Sequence, residues 1–180
     1  MDRFLDLEYS PTAVARNAAV NFRMVAYMLG LLIAVEALLL TASTAVAALY
    51  GEGDFLPFLI STGICSAIAG VLLFIGRNAT KPRRRETCIV VASAWLMFSL
   101  IGMLPYLIGG YIPQVADAFF ETMSGFTTTG ATILDNIEQM PHGVLFWRSL
   151  TQWIGGLGIA FFTIALMPGF GIGEIGRAHV

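Results

Sequence analysis

Ser124-Gly125-Phe126-Thr127-Thr128-Thr129-Gly130-Ala131-Thr132 is a run of hydroxyls and glycines set between long apolar segments. Its composition is that of an ion-filter loop, not of a membrane span or an ordinary surface loop. Asp117-Ala118-Phe119-Phe120-Glu121-Thr122-Met123 precedes it and reads as a short helix aimed at it. From 115 to 126 there are roughly 12 residues, about 18 Å of helix at 1.5 Å per residue. That is about half of the ~30 Å hydrocarbon thickness of a bilayer. Non-helical backbone at such a depth is tolerated only where protein buries it or water lines it. The pattern is therefore span, half-helix, loop, span, with the loop re-entering the membrane from one side.

The rest of the chain agrees with a bilayer as its solvent. Of 180 residues, 57% are hydrophobic and 12% charged, with a mean hydropathy of +0.76. Soluble domains usually carry about 25% charge, so this chain has too little to cover a water-soluble globule. Apolar spans are expected at 22–50, 55–75, 87–108 and 145–167, the last stopping at Pro168-Gly169. Ala45-Val46-Ala47 resembles a signal cleavage site, but the apolar run before it exceeds the 7–15 residues of a signal core, so an uncleaved span is expected. The expected fold is an all-α integral membrane protein: two N-terminal transmembrane helices, then one span–re-entrant pore loop–span repeat. Residues 1–86 hold the tail, the first two spans and a basic connector. Residues 87–173 hold the repeat, and 174–180 are a separate tail.

Lys and Arg set the orientation. The N-terminal region (Arg3, Arg16, Arg23) and the connector (Arg77, Lys81, Arg83, Arg84, Arg85) hold eight of the ten basic residues. Both are expected in the cytoplasm. The loops at 51–54 and 109–144 contain no Lys or Arg and are expected outside. Arg148 falls just inside the last span at its outer end, where it either snorkels to the interface or bonds to the loop above.

A cation crossing a bilayer exchanges its water shell for protein oxygens, and rings of backbone carbonyls do this without trapping the ion. Gly130 allows dihedrals closed to other residues, so that consecutive carbonyls can point the same way. Thr127, Thr128, Thr129 and Thr132 add hydroxyls that coordinate or brace. The half-helix presents the negative end of its dipole to the loop. No carboxylate lies within the run, which favours a weakly hydrated monovalent ion over calcium.

Asp117 and Glu121 share a helix face by i, i+4 spacing. Asp117 is a candidate cap for the half-helix. Glu121 either braces the loop from behind or raises the local cation concentration. Asp135 and Glu138 either attract cations on the outer return or are solvated loop acids. Gly155 and Gly158 share a face of the last span; they either pack it closely behind the loop or serve ordinary helix packing. Glu36 is an acid inside the first span, with either an ion-path role or a polar neighbour.

Cys65 and Cys88 read as packing residues, and no zinc or haem spacing is present. No cofactor and no nucleic-acid partner are expected. An enzyme is not expected either, because no nucleophile–base spacing appears and His142 is the only histidine before the final residues.

The run Phe119–Thr132 resembles the first pore loop of Trk-type potassium uptake membrane subunits, in the Trk/Ktr/HKT superfamily. Phe146-Trp147-Arg148-Ser149-Leu150-Thr151-Gln152-Trp153-Ile154-Gly155-Gly156-Leu157-Gly158-Ile159 resembles the helix that follows it, and Leu166–Gly173 the end of that helix. The resemblance implies a pore of four covalently linked span–loop–span repeats, each giving one filter segment with a central glycine, here Gly130. It implies potassium at the carbonyls of Thr128 and Thr129, with Thr127 and Ala131 beside them. It implies a homodimer in the bacterial inner membrane, with lipid around it and a cytosolic nucleotide-binding regulatory subunit. The extra helix pair resembles the Trk branch more than the Ktr branch. One repeat of four is present, so the chain is expected to be an N-terminal fragment that does not transport alone. Ile175-Gly176-Arg177-Ala178-His179-Val180 can be encoded by a string resembling a sequencing adapter, and the native frame is expected to end near Gly173. A non-transporting membrane anchor or assembly subunit with a Thr-rich loop is the competing function. A secondary transporter that binds an anion at a helix N-terminus fits less well, because here the helix C-terminus meets the loop.

Overall fold

The computed structural model describes residues 20–78 and 84–166. The expectations for Arg3, Arg16, Lys81, Arg83, the Pro168-Gly169 stop and the 174–180 tail lie outside the described residues.

The first two spans form an antiparallel hairpin. Helix α1, Phe22–Tyr50, starts where the Asn21 side chain accepts the Met24 N–H at 3.2 Å. It ends at Gly51, whose φ of +66° suits a residue without Cβ and whose N–H bonds the Ala47 carbonyl at 2.9 Å. Helix α2, Phe55–Gly76, returns along it. With no water to drive helix association inside a bilayer, small residues and short polar contacts hold such pairs. Both are present here. A methyl group at Gly30 would lie 2.9 Å from the Leu73 backbone nitrogen. The Thr44 and Thr62 hydroxyls meet at 3.1 Å.

The third span is broken. Helix α3, Arg84–Gly102, ends at Met103, and a short α4, Leu104–Ile108, follows. Pro105 is the cause, since its ring nitrogen has no proton for the carbonyl of Ile101. The Tyr106 N–H then bonds Met103 at 3.1 Å, which leaves the Gly102 carbonyl open. The indole N–H of Trp147 takes it at 2.9 Å. This break was not expected from the sequence, where 87–108 reads as one span.

Helix α5, Val115–Phe126, is the half-helix, and it has the 12 residues expected of it. An extended segment and a single 3-10 turn at Ile137–Gln139 lead to α6, His142–Leu166. Among the described residues, three stretches are long and apolar enough to cross a membrane: Phe22–Tyr50, Phe55–Gly76 and Glu86–Ile108. Helix α6 is as long, at 25 residues, with His142, Arg148, Thr151 and Gln152 gathered in its first half. Apolar side chains such as Leu38, Val71 and Phe74 face outward, as a lipid-facing surface requires.

Helix α1 packs on α2 along its length and also against α3 and α6, while α5 sits between α3 and α6. Trp147, Phe126, Tyr106, Ile33 and Leu40 fill the core between them. Gly102 is the meeting point. A methyl group there would lie 2.8 Å from Thr122 Cγ2, 3.1 Å from the Phe126 ring and 3.2 Å from Glu36 Oε1.

The loops without Lys or Arg come together at one end of the bundle. Glu52 Oε2 accepts the His142 N–H at 2.7 Å, its Oε1 lies 2.8 Å from His142 Nδ1, and Tyr50 stacks on the imidazole at 4.0 Å. Glu52 thus caps α6 from a turn 90 residues away. These bonds hold its carboxyl below the usual carboxylate range. The clamp is therefore present at neutral pH and is lost as acid protonates Glu52. At the opposite end, the Asn21 N–H donates to Glu86 at 3.0 Å.

Asp54, read in sequence as a turn acid, is instead fully buried against Gly143 near the start of α6. A methyl group at Gly143 would collide with its carboxylate and lie 2.9 Å from Ala47 Cβ. Gly143→Ala is expected to lower stability by about 1–3 kcal/mol, the usual cost of overpacking. Thermal unfolding of the purified protein in detergent measures it, and an unchanged midpoint contradicts the packing described.

Candidate functional site: the loop at the end of the half-helix

Helix α5 begins after Pro113, with extended Gln114 (φ −87°, ψ 127°) at its N-cap position. Asp117 is thus not the cap. It lies inside the first turn, where a negative charge still complements the helix dipole. Asp117 also lines an open cleft of about 450 Å³ with Tyr111, Leu134 and Asp135. Glu138 is exposed on the return. Burial raises the Tyr111 phenol, and the acids Asp54 and Glu52 add to the shift.

One turn further, Glu121 is buried and fully engaged. Its two oxygens lie 3.1 and 2.9 Å from the Thr132 hydroxyl, and Oε2 accepts the Ile133 N–H at 3.1 Å. Arg148 Nε donates to Oε1 at 2.8 Å. The side chains of Arg148 and Glu121 are 18% and 1% exposed, so this is a buried pair and not an interfacial one. Of the two roles open to Glu121 in sequence, bracing from behind is the one this geometry favours, because Arg148 offsets its charge. The bond from Arg148 to α5 likewise replaces the snorkelling alternative.

The C-terminus of α5 closes in a Schellman turn. The Thr128 N–H bonds the Gly125 carbonyl at 2.9 Å and the Thr129 N–H bonds Ser124 at 3.0 Å. This turn needs a left-handed residue at the position of Thr128, whose φ is +56°. A β-branched residue there is strained by about 1–3 kcal/mol, a feature that clusters at functional sites. Gly130 follows at φ +75°, so left-handed residues stand on both sides of Thr129. Among the described residues, no donor reaches the carbonyls of Thr128, Thr129 or Gly130. All three residues are exposed.

Hydroxyls tie the loop to its helix. Ser124 Oγ donates to the Ala131 carbonyl at 2.6 Å, and Thr127 Oγ1 donates to Met123 at 2.8 Å while meeting Thr129 Oγ1 at 2.9 Å. Ala131, expected beside the ion, therefore has its oxygen turned back to α5. The remaining support comes from α6. A methyl group at Gly155 would collide with the Phe126 carbonyl oxygen, and one at Gly125 would collide with Thr151 Oγ1. Gly158 does not share this role, since its nearest neighbour is the Trp95 ring at 3.5 Å.

Sequence reasoning placed Ser124 and Gly125 in the run without a role of their own, and did not single out Gly102 or Thr151. The one available signal was the pairing of small residues on both segments, Ser124-Gly125 and Thr151 with Gly155, which marks a close helix crossing.

Comparison with known proteins identifies the family. A family model described as TrkH, cation transport protein, matches residues 57–178. A Trk system potassium uptake protein of Vibrio parahaemolyticus is 35% identical over 171 residues, covering 89% of this chain and 34% of that protein. An uncharacterized cation transporter of Methanocaldococcus jannaschii is 39% identical over 150 residues, covering 81% of this chain and 31% of its own length. The crystal structure of the potassium transporter from Vibrio parahaemolyticus superimposes with a TM-score of 0.76 at 32% identity, over 88% of this chain and 34% of that one. The chain thus spans about a third of the length of the relatives it matches. With the family match covering more than half of its residues and the helical architecture shared, this multi-pass membrane chain belongs to the TrkH family of cation transport proteins.

Proposed function

We propose that the chain is the first repeat, with its preceding helix pair, of a four-repeat potassium transporter. Residues 1–86 supply the tail, the helix pair and the connector, and 87–173 the repeat. The observation that carries this reading is the backbone from Thr128 to Gly130. It has two left-handed residues and open carbonyls, and it stands at the negative end of α5. Potassium sheds water onto the carbonyls of Thr128 and Thr129 together with their counterparts from three further repeats. Glu121, Arg148, Thr127 and Ala131 hold that backbone still, and Gly155 lets α6 support it. A loop that only linked two helices would have no need of a strained threonine or of a buried ion pair behind it.

The relatives' names, which describe potassium uptake, support potassium as the transported ion. The positions of Lys and Arg support a cytoplasmic N-terminus, and bacterial relatives support an inner-membrane location. A homodimer and a cytosolic nucleotide-binding regulatory subunit complete the proposed assembly. The chain has no enzymatic role and no cofactor in this reading.

The test is Gly130→Ser in the intact transporter. A Cβ at φ +75° displaces the carbonyl array, so potassium selectivity over sodium is expected to fall by about an order of magnitude or more. Relative uptake of rubidium and sodium in proteoliposomes reads this directly. If Gly130→Ala and Gly130→Ser both leave uptake and selectivity unchanged, the loop belongs to an anchor or assembly subunit instead.

A further inference from the structure

Glu36 lies at the midpoint of α1, near the centre of the span, and is 1% exposed. Neither of its carboxyl oxygens has a hydrogen-bond partner among the described residues. Elsewhere in this bundle the buried hydroxyls are satisfied: Thr44, Ser61 and Thr122 donate to carbonyls one turn back on their own helices. An orphaned acid in this setting is costly and marks function more often than packing.

Its surroundings give that function a direction. The carboxyl reaches the junction at Gly102, where Thr122 and Phe126 of α5 also converge. It therefore lies behind the last turns of the half-helix, beside Thr122 and Phe126. From α2 the titratable neighbour is Cys65, whose thiol donates to the Ile33 carbonyl at 3.5 Å and which lies within electrostatic reach of Glu36. Helix α3 presents Gly102, and α5 presents Thr122 and Phe126. From α6, Trp147 reaches the same junction through its bond to Gly102. Among the described residues no cation on these elements offsets a charge at Glu36.

We propose that Glu36 is a proton-binding site behind the half-helix, and that its ionisation sets how strongly the filter holds its cation. This rests on the potassium reading of the loop. With the carboxyl protonated, α5 alone supplies the negative end facing the ion. With the proton released, a full negative charge is added behind the same end. A unit charge about 10 Å from an ion, at an effective dielectric of about 20, changes occupancy about tenfold. Linkage makes the effect reciprocal, so a cation in the filter favours loss of the proton from Glu36.

The experiment measures rubidium uptake by the intact transporter in proteoliposomes across pH. Wild-type uptake is established first, and its absence would refute the potassium reading and not the role of Glu36. The half-saturating rubidium concentration is expected to fall about tenfold as pH rises. Glu36→Gln is expected to fix it at the acid value, and Glu36→Asp to restore a pH dependence. A Glu36→Gln profile parallel to wild type overturns the proposal. Should Glu36→Gln fail to fold, infrared difference spectra of the wild-type protein decide: exchange of potassium for a non-permeant cation should shift a protonated-carboxyl band. A spectrum without such a band overturns the proposal.

Discussion

Glu121→Ala is expected to abolish potassium uptake and to lower the stability of the intact transporter by about 3–5 kcal/mol. That cost is typical when one partner of a buried ion pair is removed and the other is left uncompensated. The unpaired charge is that of Arg148, bound to Glu121 Oε1 at 2.8 Å and largely shielded from solvent. The same substitution releases the Thr132 hydroxyl and the Ile133 N–H, so the return limb of the loop loses its anchor to α5. Two measurements separate these effects. Thermal unfolding reports the ion pair. Uptake by the surviving folded fraction reports the loop. Glu121→Gln keeps the shape and most of the hydrogen bonds but removes the charge, so intermediate stability with impaired uptake is expected. Full uptake in Glu121→Ala would show that the loop holds its form without this brace.

The second large effect is expected at Gly155. An alanine Cβ there would collide with the carbonyl oxygen of Phe126, which is backbone and cannot rotate away. Either α6 or the end of α5 must move, and α5 carries the loop. Overpacking of about 1–3 kcal/mol corresponds to roughly a five- to 150-fold loss of the native arrangement. Uptake is expected to fall accordingly. Gly158→Ala is the control, because its Cβ would meet the Trp95 ring at an ordinary contact distance of 3.5 Å. It should transport at close to the wild-type rate. Equal behaviour of the two variants in an uptake assay would contradict the crossing described here.

The contrast between these two glycines shows where sequence reading stopped. Spacing places Gly155 and Gly158 on one helix face, but it does not say which of them meets another backbone. Helix α5 was legible from end to end, because Pro113 bars helix before it and the threonine–glycine run disfavours helix after it. The role of Glu121 was legible as one of two alternatives. Its partner Arg148 was not, because the two are brought together only by the fold of the intervening loop. Asp117 was the natural candidate for a cap by residue type, yet the chain enters the helix three residues earlier, at a glutamine that makes no capping bond. The burial of Asp54 was invisible, since nothing in a Gly-Glu-Gly-Asp turn announces a helix start packed on it from far along the chain. The break at Met103 had a visible cause in Pro105, but prolines are tolerated in membrane helices, so its presence alone did not decide the matter.

Three of the contacts that hold the loop come from downstream of it, on α6: Arg148 grips Glu121, Thr151 abuts Gly125, and Gly155 receives Phe126. During synthesis from the N-terminus, the loop must therefore leave the ribosome before these three clamps exist. It acquires its final geometry only once α6 has entered the bilayer and Glu52 has docked onto His142. A nascent chain halted before that helix would carry the whole signature run and still lack the ion pair and the close crossing that fix its form.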